Sequence, residues 1–209
     1  MYRNIIWDVD GTLFDTYPAI TRAFKAALND LGREASMAWI AELAKQSLGQ
    51  CEAVLVDKYQ LDKEAFGKAL EKHFGRISIE ESPLFPGVMK LCEYICSIKG
   101  KNVIVTHRGR KGTRELLMGY KLAGYFAGYI TRDDGYPRKP DPGAFEAALT
   151  KYHLERNETL TVGDRQIDIL AGKAAGLFSC FYGVGSDGIK ADLAVGSFDE
   201  LYEYLVKSA

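Results

Sequence analysis

Short apolar runs that end in polar side chains recur along the chain and predict buried β-strands. The first run, Ile5-Ile6-Trp7, is followed directly by Asp8, and two later runs end in Thr106 and Asp164. Short apolar runs bounded by turn residues are typical of strands that are buried on both faces of a sheet. The pattern predicts strands over residues 1–8, 101–106, 129–131, 159–163, 178–182 and 193–195.

In the second half of the chain, these strands alternate with segments of helical periodicity. Helices are predicted at about 88–98, 111–122, 142–152, 167–175 and 199–206. Regular alternation of strand and helix is the signature of an α/β fold with a parallel sheet. Right-handed crossovers bring the carboxyl ends of parallel strands to one edge of the sheet. We therefore expect Asp8, Thr106 and Asp164 to lie along the same edge.

Residues 16–82 contain no convincing strand and predict a helical insertion in the α/β domain. Thr16 and Ser36 are predicted helix N-caps, and Gly49 is expected to interrupt the helical pattern. Residues 80–87 are rich in turn formers and predict the return to the α/β domain. The helices are expected at about 18–31, 37–45, 53–59 and 62–74.

Composition limits the classes of partner. The 209 residues include 27 basic and 28 acidic side chains, so the net charge of −1 gives no electrostatic reason to expect nucleic acid. No apolar stretch is long enough to span a membrane, and no signal peptide is evident at the N-terminus. The four cysteines form no C-x-x-C pair. We expect a cytoplasmic protein with reduced thiols, although its oligomeric state is open.

Two acids follow the first predicted strand. Asp8 and Asp10 are two residues apart, so in extended backbone their side chains face the same side. Gly11 then permits a sharp turn. A strand that ends in two acids suits a metal site or a nucleophile with its acid partner. The alternative is a strand followed by an ordinary Asp-Gly turn.

Residues Asp8 to Asp15, with the sequence DVDGTLFD, resemble the first motif of the haloacid dehalogenase (HAD) superfamily. The resemblance implies that Asp8 is the nucleophile and Asp10 the general acid/base. Thr106 occupies the position of the second motif, which implies a hydrogen bond to phosphoryl oxygens. Taken alone, Thr106 would more readily be a β-forming residue at a strand end.

The third and fourth motifs of the superfamily have counterparts further along the chain. Lys139, within Arg-Lys-Pro-Asp-Pro at 138–142, would neutralise the nucleophile and the transferring phosphoryl group, whereas a lone Lys before Pro is normally a surface residue. Gly163-Asp164 and Asp168 match Gly-Asp-x-x-x-Asp. The resemblance implies a Mg²⁺ site with Asp8, Asp10 and Asp164 as ligands. For Asp168, a supporting role, direct coordination and a simple preference for a helix start all remain open.

The sequence departs from the superfamily pattern after Thr106, where many relatives have Asn. Here the chain continues with His107 and Arg108. His107 is expected to be a solvated loop residue. Arg108 is a candidate substrate-binding residue together with Thr106 and Lys139, because guanidinium suits phosphate and carboxylate.

The resemblance implies a Rossmann-like, doubly wound parallel sheet, with a core at 1–15 and 83–209 and a helical cap subdomain at 16–82. The position and helical character of the cap are similar to the phosphoglycolate phosphatase and β-phosphoglucomutase branch. The implied function is a Mg²⁺-dependent phosphatase acting on a small phosphorylated metabolite, phosphoglycolate-like or a sugar phosphate. Its catalytic residues would be Asp8, Asp10, Thr106 and Lys139, and its cap would select substrate and exclude water.

Three alternatives remain beside this interpretation. A phosphomutase would share the phosphorylated aspartate, but related mutases have a His shortly after the first motif and residues 17–20 contain none. A 2-haloacid dehalogenase needs neither a second acid nor a metal, and the presence of Asp10 disfavours it. A binding or regulatory protein that retains the fold is disfavoured because all four motif positions are occupied.

Overall fold

A computed structural model describes residues 1–183, 188 and 190–207. Contacts divide the chain into two compact units, one of Met1–Phe14 with Leu84–Ala209 and one of Asp15–Pro83. The first unit contains one parallel sheet with the order β3-β2-β1-β4-β5-β6. Its strands are β1 Asn4–Trp7, β2 Asn102–Val105, β3 Phe126–Ile130, β4 Thr159–Gly163, β5 Phe178–Tyr182 and β6 Leu193–Val195.

The second unit is helical and has its own apolar core. Its helices are α1 Tyr17–Asp30, α2 Met37–Gln46, α3 Leu48–Tyr59 and α4 Lys63–Phe74. Phe24 of α1 lies against Phe66 and Phe74 of α4, with ring centroids 6.4 and 5.6 Å apart. At the end of α1, the Asp30 carboxylate contacts Lys72 and His73 of α4, which links the two helices.

The remaining helices belong to the first unit and cover both faces of its sheet. They are α5 Val88–Ser97, α6 Arg110–Gly119, α7 Gly143–Tyr152, α8 Gln166–Ala174 and α9 Phe198–Lys207. Ile6 packs in a cluster with side chains of α7 and α8, including Phe145. The next residue, Trp7, points to the opposite face and contacts Phe198 of α9. The predicted doubly wound parallel sheet is therefore confirmed.

Three local expectations need correction. Thr16 precedes α1, but its side chain makes no capping hydrogen bond, whereas Ser36 accepts one from the Trp39 amide. Gly49 does not interrupt the helical pattern, because α3 begins at Leu48 and is capped by Ser47. Strand β3 spans Phe126–Ile130 rather than 129–131. No helix among the described residues is long and apolar enough to cross a membrane.

Candidate active site

The order of the strands brings the predicted site residues to one edge. Strand β1 pairs with β2 on one side and with β4 on the other. The chain builds the sheet outwards from β1 in one direction and then returns to build it in the other. The carboxyl ends of strands at such a switch point form the usual ligand crevice of doubly wound folds. Each of these strands is followed directly by a predicted site residue: Asp8 after β1, Thr106 after β2 and Asp164 after β4.

One buried cation joins two of the acids. The Lys139 ammonium lies 2.7 Å from Asp8 Oδ1 and 2.7 Å from Asp168 Oδ1. All three side chains are only 1% exposed to solvent. An ammonium is a compact charge with three donors, so one lysine can donate to both carboxylates at once. The expectation that Lys139 lies beside the proposed nucleophile thus agrees with the geometry.

Burial and charge act against each other in this cluster. Burial raises the pKa of Asp8 to about 6, with Lys139 opposing that rise. Burial also acts to raise the pKa of Asp168, but Lys139 and Arg165 outweigh it and hold that pKa below its usual value. Burial would lower the pKa of Lys139, but the two carboxylates raise it. The lysine therefore stays charged, and Asp168 is the acid more firmly held as carboxylate.

Three acidic side chains offer oxygen atoms suited to a hard divalent cation. Asp8, Asp164 and Asp168 each offer one oxygen, and these oxygens lie within 4.8 Å of one another. Asp8 Oδ2 is buried and has no hydrogen-bond partner in the described part of the chain. Thr12 donates its hydroxyl to Asp164 Oδ1 over 3.3 Å and orients that acid. Carboxylate oxygens are the ligands that Mg²⁺ prefers, so these residues fit such an ion.

Asp10 has a different partner from Asp8. Arg108 forms a forked ion pair with it, through Nε at 3.1 Å and one terminal nitrogen at 2.7 Å from Asp10 Oδ1. Bidentate pairs of this kind fix both the position and the orientation of the carboxylate. The carboxylate of Asp10 is not part of the three-acid cluster, and its place among the metal ligands stays a prediction. So does substrate binding by Arg108.

The loop after β2 arranges several of these groups. Thr106 is buried, and its hydroxyl oxygen accepts a hydrogen bond from the Arg108 amide at 3.1 Å. His107 accepts a hydrogen bond at Nε2 from the Lys139 amide at 2.9 Å. The expectation that His107 is a solvated loop residue is therefore wrong, because its half-buried imidazole connects two loops of the site.

Gly163 explains why the fourth motif requires glycine before the acid. A Cβ at this position would lie 2.3 Å from the Cβ of Asp168, far inside contact distance. The absence of a side chain lets the first turn of α8 approach the end of β4. The sequence pattern Gly-Asp thus has a direct packing cause, and it places Asp168 beside Lys139.

We expect Gly163→Ala to destabilise the protein by about 1–3 kcal/mol, the usual cost of overpacking a core, and to lower phosphate release by displacing Asp168. Gly172→Ala is a matched control, since its Cβ would lie 2.2 Å from Thr161 Cγ2, a contact that does not involve the acids. Urea unfolding and turnover of the folded protein would be measured for both variants. If the two variants had equal turnover, the position of Asp168 would not be important for catalysis.

Sequence reasoning missed part of the arrangement. The motif left open whether Asp168 lies close enough to the other acids to bind a metal, and the structure places it in the three-acid cluster. The contacts of Thr12, His107 and Arg108 were not foreseen. Thr12 lies within the first motif and His107 follows the second, so proximity to a motif was the available signal. Of the predicted residues, Asp8 and Lys139 are in direct contact, whereas Asp10 is bound to Arg108.

Comparison with known proteins agrees with this architecture. A phosphoglycolate phosphatase of Aliivibrio fischeri is 30% identical over 98% of this chain and 95% of its own length. A hydrolase of Streptococcus pneumoniae TIGR4 is 29% identical, with 98% of each chain covered and a TM-score of 0.66. A predicted phosphoglycolate phosphatase of Haemophilus somnus 129pt shares the fold, with a TM-score of 0.87 over 98% of each chain at 22% identity. The family model described as haloacid dehalogenase-like hydrolase matches residues 5–182, and the chain belongs to that family.

Proposed function

We propose that this chain is a Mg²⁺-dependent phosphatase that hydrolyses a small phosphorylated metabolite through a phosphoryl group held transiently on Asp8. Its family and its relatives identify it as a hydrolase of the phosphatase type. The metal, the intermediate and the substrate are the proposal. Its main support is the Asp8 carboxylate, buried at the end of β1, with one oxygen held by Lys139 and the other without a hydrogen bond among the described residues.

Asp8 and Asp10 divide the chemistry in this proposal. A carboxylate oxygen of Asp8 forms a bond to phosphorus while the bond from phosphorus to the ester oxygen breaks. Asp10, once released from its ion pair with Arg108 and protonated, gives its proton to that departing oxygen, which leaves as an alcohol. A water molecule then attacks the phosphorus of the aspartyl phosphate, and Asp10 takes the proton that the water loses. Phosphate departs and both aspartates return to their starting states.

Lys139 and Thr106 stabilise charge on the transferring group in this proposal. The lysine ammonium is already placed 2.7 Å from the nucleophile, so it need not move to meet the developing charge. The Thr106 hydroxyl lies in a loop held by its own hydrogen bond to the Arg108 amide. Phosphoryl transfer depends chiefly on such positioning and charge stabilisation.

Asp8, Asp164 and Asp168 are the carboxylates that would hold the metal, and the further contribution of Asp10 remains proposed. When bound, Mg²⁺ supplies positive charge that offsets the negative charge of the phosphoryl oxygens. The donor set agrees with a hard cation, because every side-chain ligand is a carboxylate oxygen and no thiol or imidazole takes part.

The substrate is proposed from the relatives. Because related proteins are named phosphoglycolate phosphatase, 2-phosphoglycolate is the first candidate, followed by small sugar phosphates. Within this proposal, the helical unit of residues 15–83 selects the substrate, since the candidate catalytic residues all lie in the α/β unit.

A screen of phosphorylated metabolites with Mg²⁺, measuring inorganic phosphate, tests the proposed function. The best substrate should release one phosphate per turnover. An isomerised sugar phosphate without free phosphate would instead identify a phosphomutase. Halide release from a 2-haloacid, with no phosphate release from any ester, would identify a dehalogenase.

Metal dependence provides a separate prediction. A chelator is expected to abolish phosphate release and added Mg²⁺ to restore it, and Asp164→Ala should raise the Mg²⁺ concentration required by at least about tenfold, since a ligand is lost. Asp199→Ala is the control, because it removes an exposed carboxylate of α9 that pairs with Lys90 on the surface. Full activity in chelator would overturn the proposed role of the metal.

A further inference from the structure

His107 connects the loop after β2 with the loop that contains Lys139. Its Nε2 accepts the Lys139 backbone N–H at 2.9 Å. The ammonium of the same lysine reaches Asp8 and Asp168 at 2.7 Å each. Lys139 is thus held at both ends, at its main chain by the imidazole and at its side chain by the two acids.

We propose that His107 is a positioning residue, which holds the Lys139 main chain so that the ammonium reaches Asp8. The catalytic part of this inference rests on the proposed function, whereas the contact itself does not. His107 acts through Lys139 and is not assigned any contact with substrate.

Among the described residues, the main chain next to Lys139 forms its hydrogen bonds mainly within its own loop. Pro140 has no N–H, and the Asp141 amide bonds within its own loop to the Arg138 carbonyl at 3.1 Å. A cavity of about 30 Å³ lies beside this loop, lined by His107, Lys139 and neighbouring residues. The imidazole acceptor satisfies the Lys139 N–H, a group that is costly to leave unpaired when buried.

The charges around His107 keep the imidazole neutral, and the hydrogen bond from the Lys139 N–H fixes its tautomer. Burial, together with the cations Lys139, Arg138 and Arg165, lowers the pKa of His107 to about 3, while Asp168 acts in the opposite direction. A neutral ring that accepts at Nε2 has its proton at Nδ1. Arg138 approaches Nδ1 to 3.4 Å but cannot donate to a protonated nitrogen. His107 is therefore a permanent acceptor at ordinary pH rather than a proton shuttle.

Two substitutions of His107 distinguish the effect of its hydrogen-bond acceptor from the effect of its size. The amide of His107→Gln can place an acceptor near the position of Nε2, whereas His107→Phe supplies a ring of similar size with no acceptor. We expect the Gln variant to retain kcat within a few-fold. The Phe variant should lose about 10²-fold in kcat with a smaller change in KM, the scale expected for a displacement of about 1 Å at a catalytic group.

A spectroscopic measurement tests the contact without any substrate. Long-range ¹H–¹⁵N NMR of the holoenzyme should show that Nδ1 of His107 is protonated and Nε2 is not, from about pH 5 to pH 8. The Lys139 amide proton should exchange slowly with solvent in the wild type and in His107→Gln, and quickly in His107→Phe. Titration of His107 in this range, or rapid exchange of that amide in the wild type, would overturn the contact.

The two readouts keep this inference apart from the proposed function. If no phosphorylated metabolite is hydrolysed by the wild type, the proposed function fails, while the NMR result still decides the contact. If the wild type is active and His107→Phe has the same kcat with a folded structure, the positioning role is wrong. Loss of kcat in His107→Phe with retention in His107→Gln supports it.

Discussion

Asp8→Asn is expected to abolish turnover and leave the fold intact. An amide is a poor nucleophile at phosphorus and a poor ligand for Mg²⁺, so the variant loses both functions that we propose for the side chain. The loss in kcat should be on the order of 10⁴-fold or more, as for removal of a covalent nucleophile in other enzymes. Lys139 retains its second carboxylate partner, Asp168, so no unpaired charge is left buried.

Phosphate release, trapping of a phosphorylated protein and thermal unfolding would be measured side by side. Asp199→Asn provides the matched control, since it makes the same chemical change at an exposed carboxylate of α9. The control should release phosphate at the wild-type rate. Near-wild-type turnover by Asp8→Asn, or a phosphorylated protein formed by that variant, would exclude Asp8 as the nucleophile.

Lys139→Met should have the largest effect on stability. Methionine is similar in length but uncharged, so Asp8 and Asp168 would face each other in a buried environment with no ammonium between them. Removing one partner of a buried ion pair costs about 3–5 kcal/mol of unfolding free energy. Turnover should also fall steeply, because in the proposed mechanism the transferring phosphoryl group would lose the charge of Lys139.

This prediction is tested by measuring the free energy of unfolding in urea, once with a chelator and once with Mg²⁺. Mg²⁺ should recover more stability in the variant than in the wild type, because the ion would supply positive charge to the same carboxylates. The control is Lys173→Met, which breaks a partly exposed pair between Lys173 of α8 and Asp192, the residue before β6. An exposed pair is worth about 0–1 kcal/mol. Equal stability of the two variants would show that Lys139 does not neutralise the acids.

Elements whose periodicity extends over several residues could be predicted from the sequence. Strands β1 and β4 are apolar runs that end in acids, and the four motif segments follow in order along the chain. Strand β3 was predicted too short, since Gly128 and the exposed Ala127 break the apolar pattern over its first half. Contacts with Tyr152 of α7 fill the space above Gly128 and compensate for that break, and local propensity does not report them.

The pairings inside the site were harder to predict than its members. Asp10 and Arg108 are 98 residues apart in the chain, and His107 and Lys139 are 32 residues apart. Arg and His after a strand have the composition of an ordinary loop, and no local rule distinguishes a solvated loop side chain from one that turns inward. Only the fold of the two loops decides which of these side chains meet.

The central position of β1 also has a consequence for how the protein is made. Asp8 and Lys139 are separated by 131 residues, and Thr12 and Asp164 by 152. Strand β1 has both neighbours only after β4 has been synthesised, which at about 5–20 residues per second takes on the order of 10–30 s. During this interval the apolar segment Ile5-Ile6-Trp7 has no complete sheet to join and is exposed to aggregation. Asp8 and Asp10 place two acidic side chains at the end of this apolar segment, a position at which charged residues oppose aggregation.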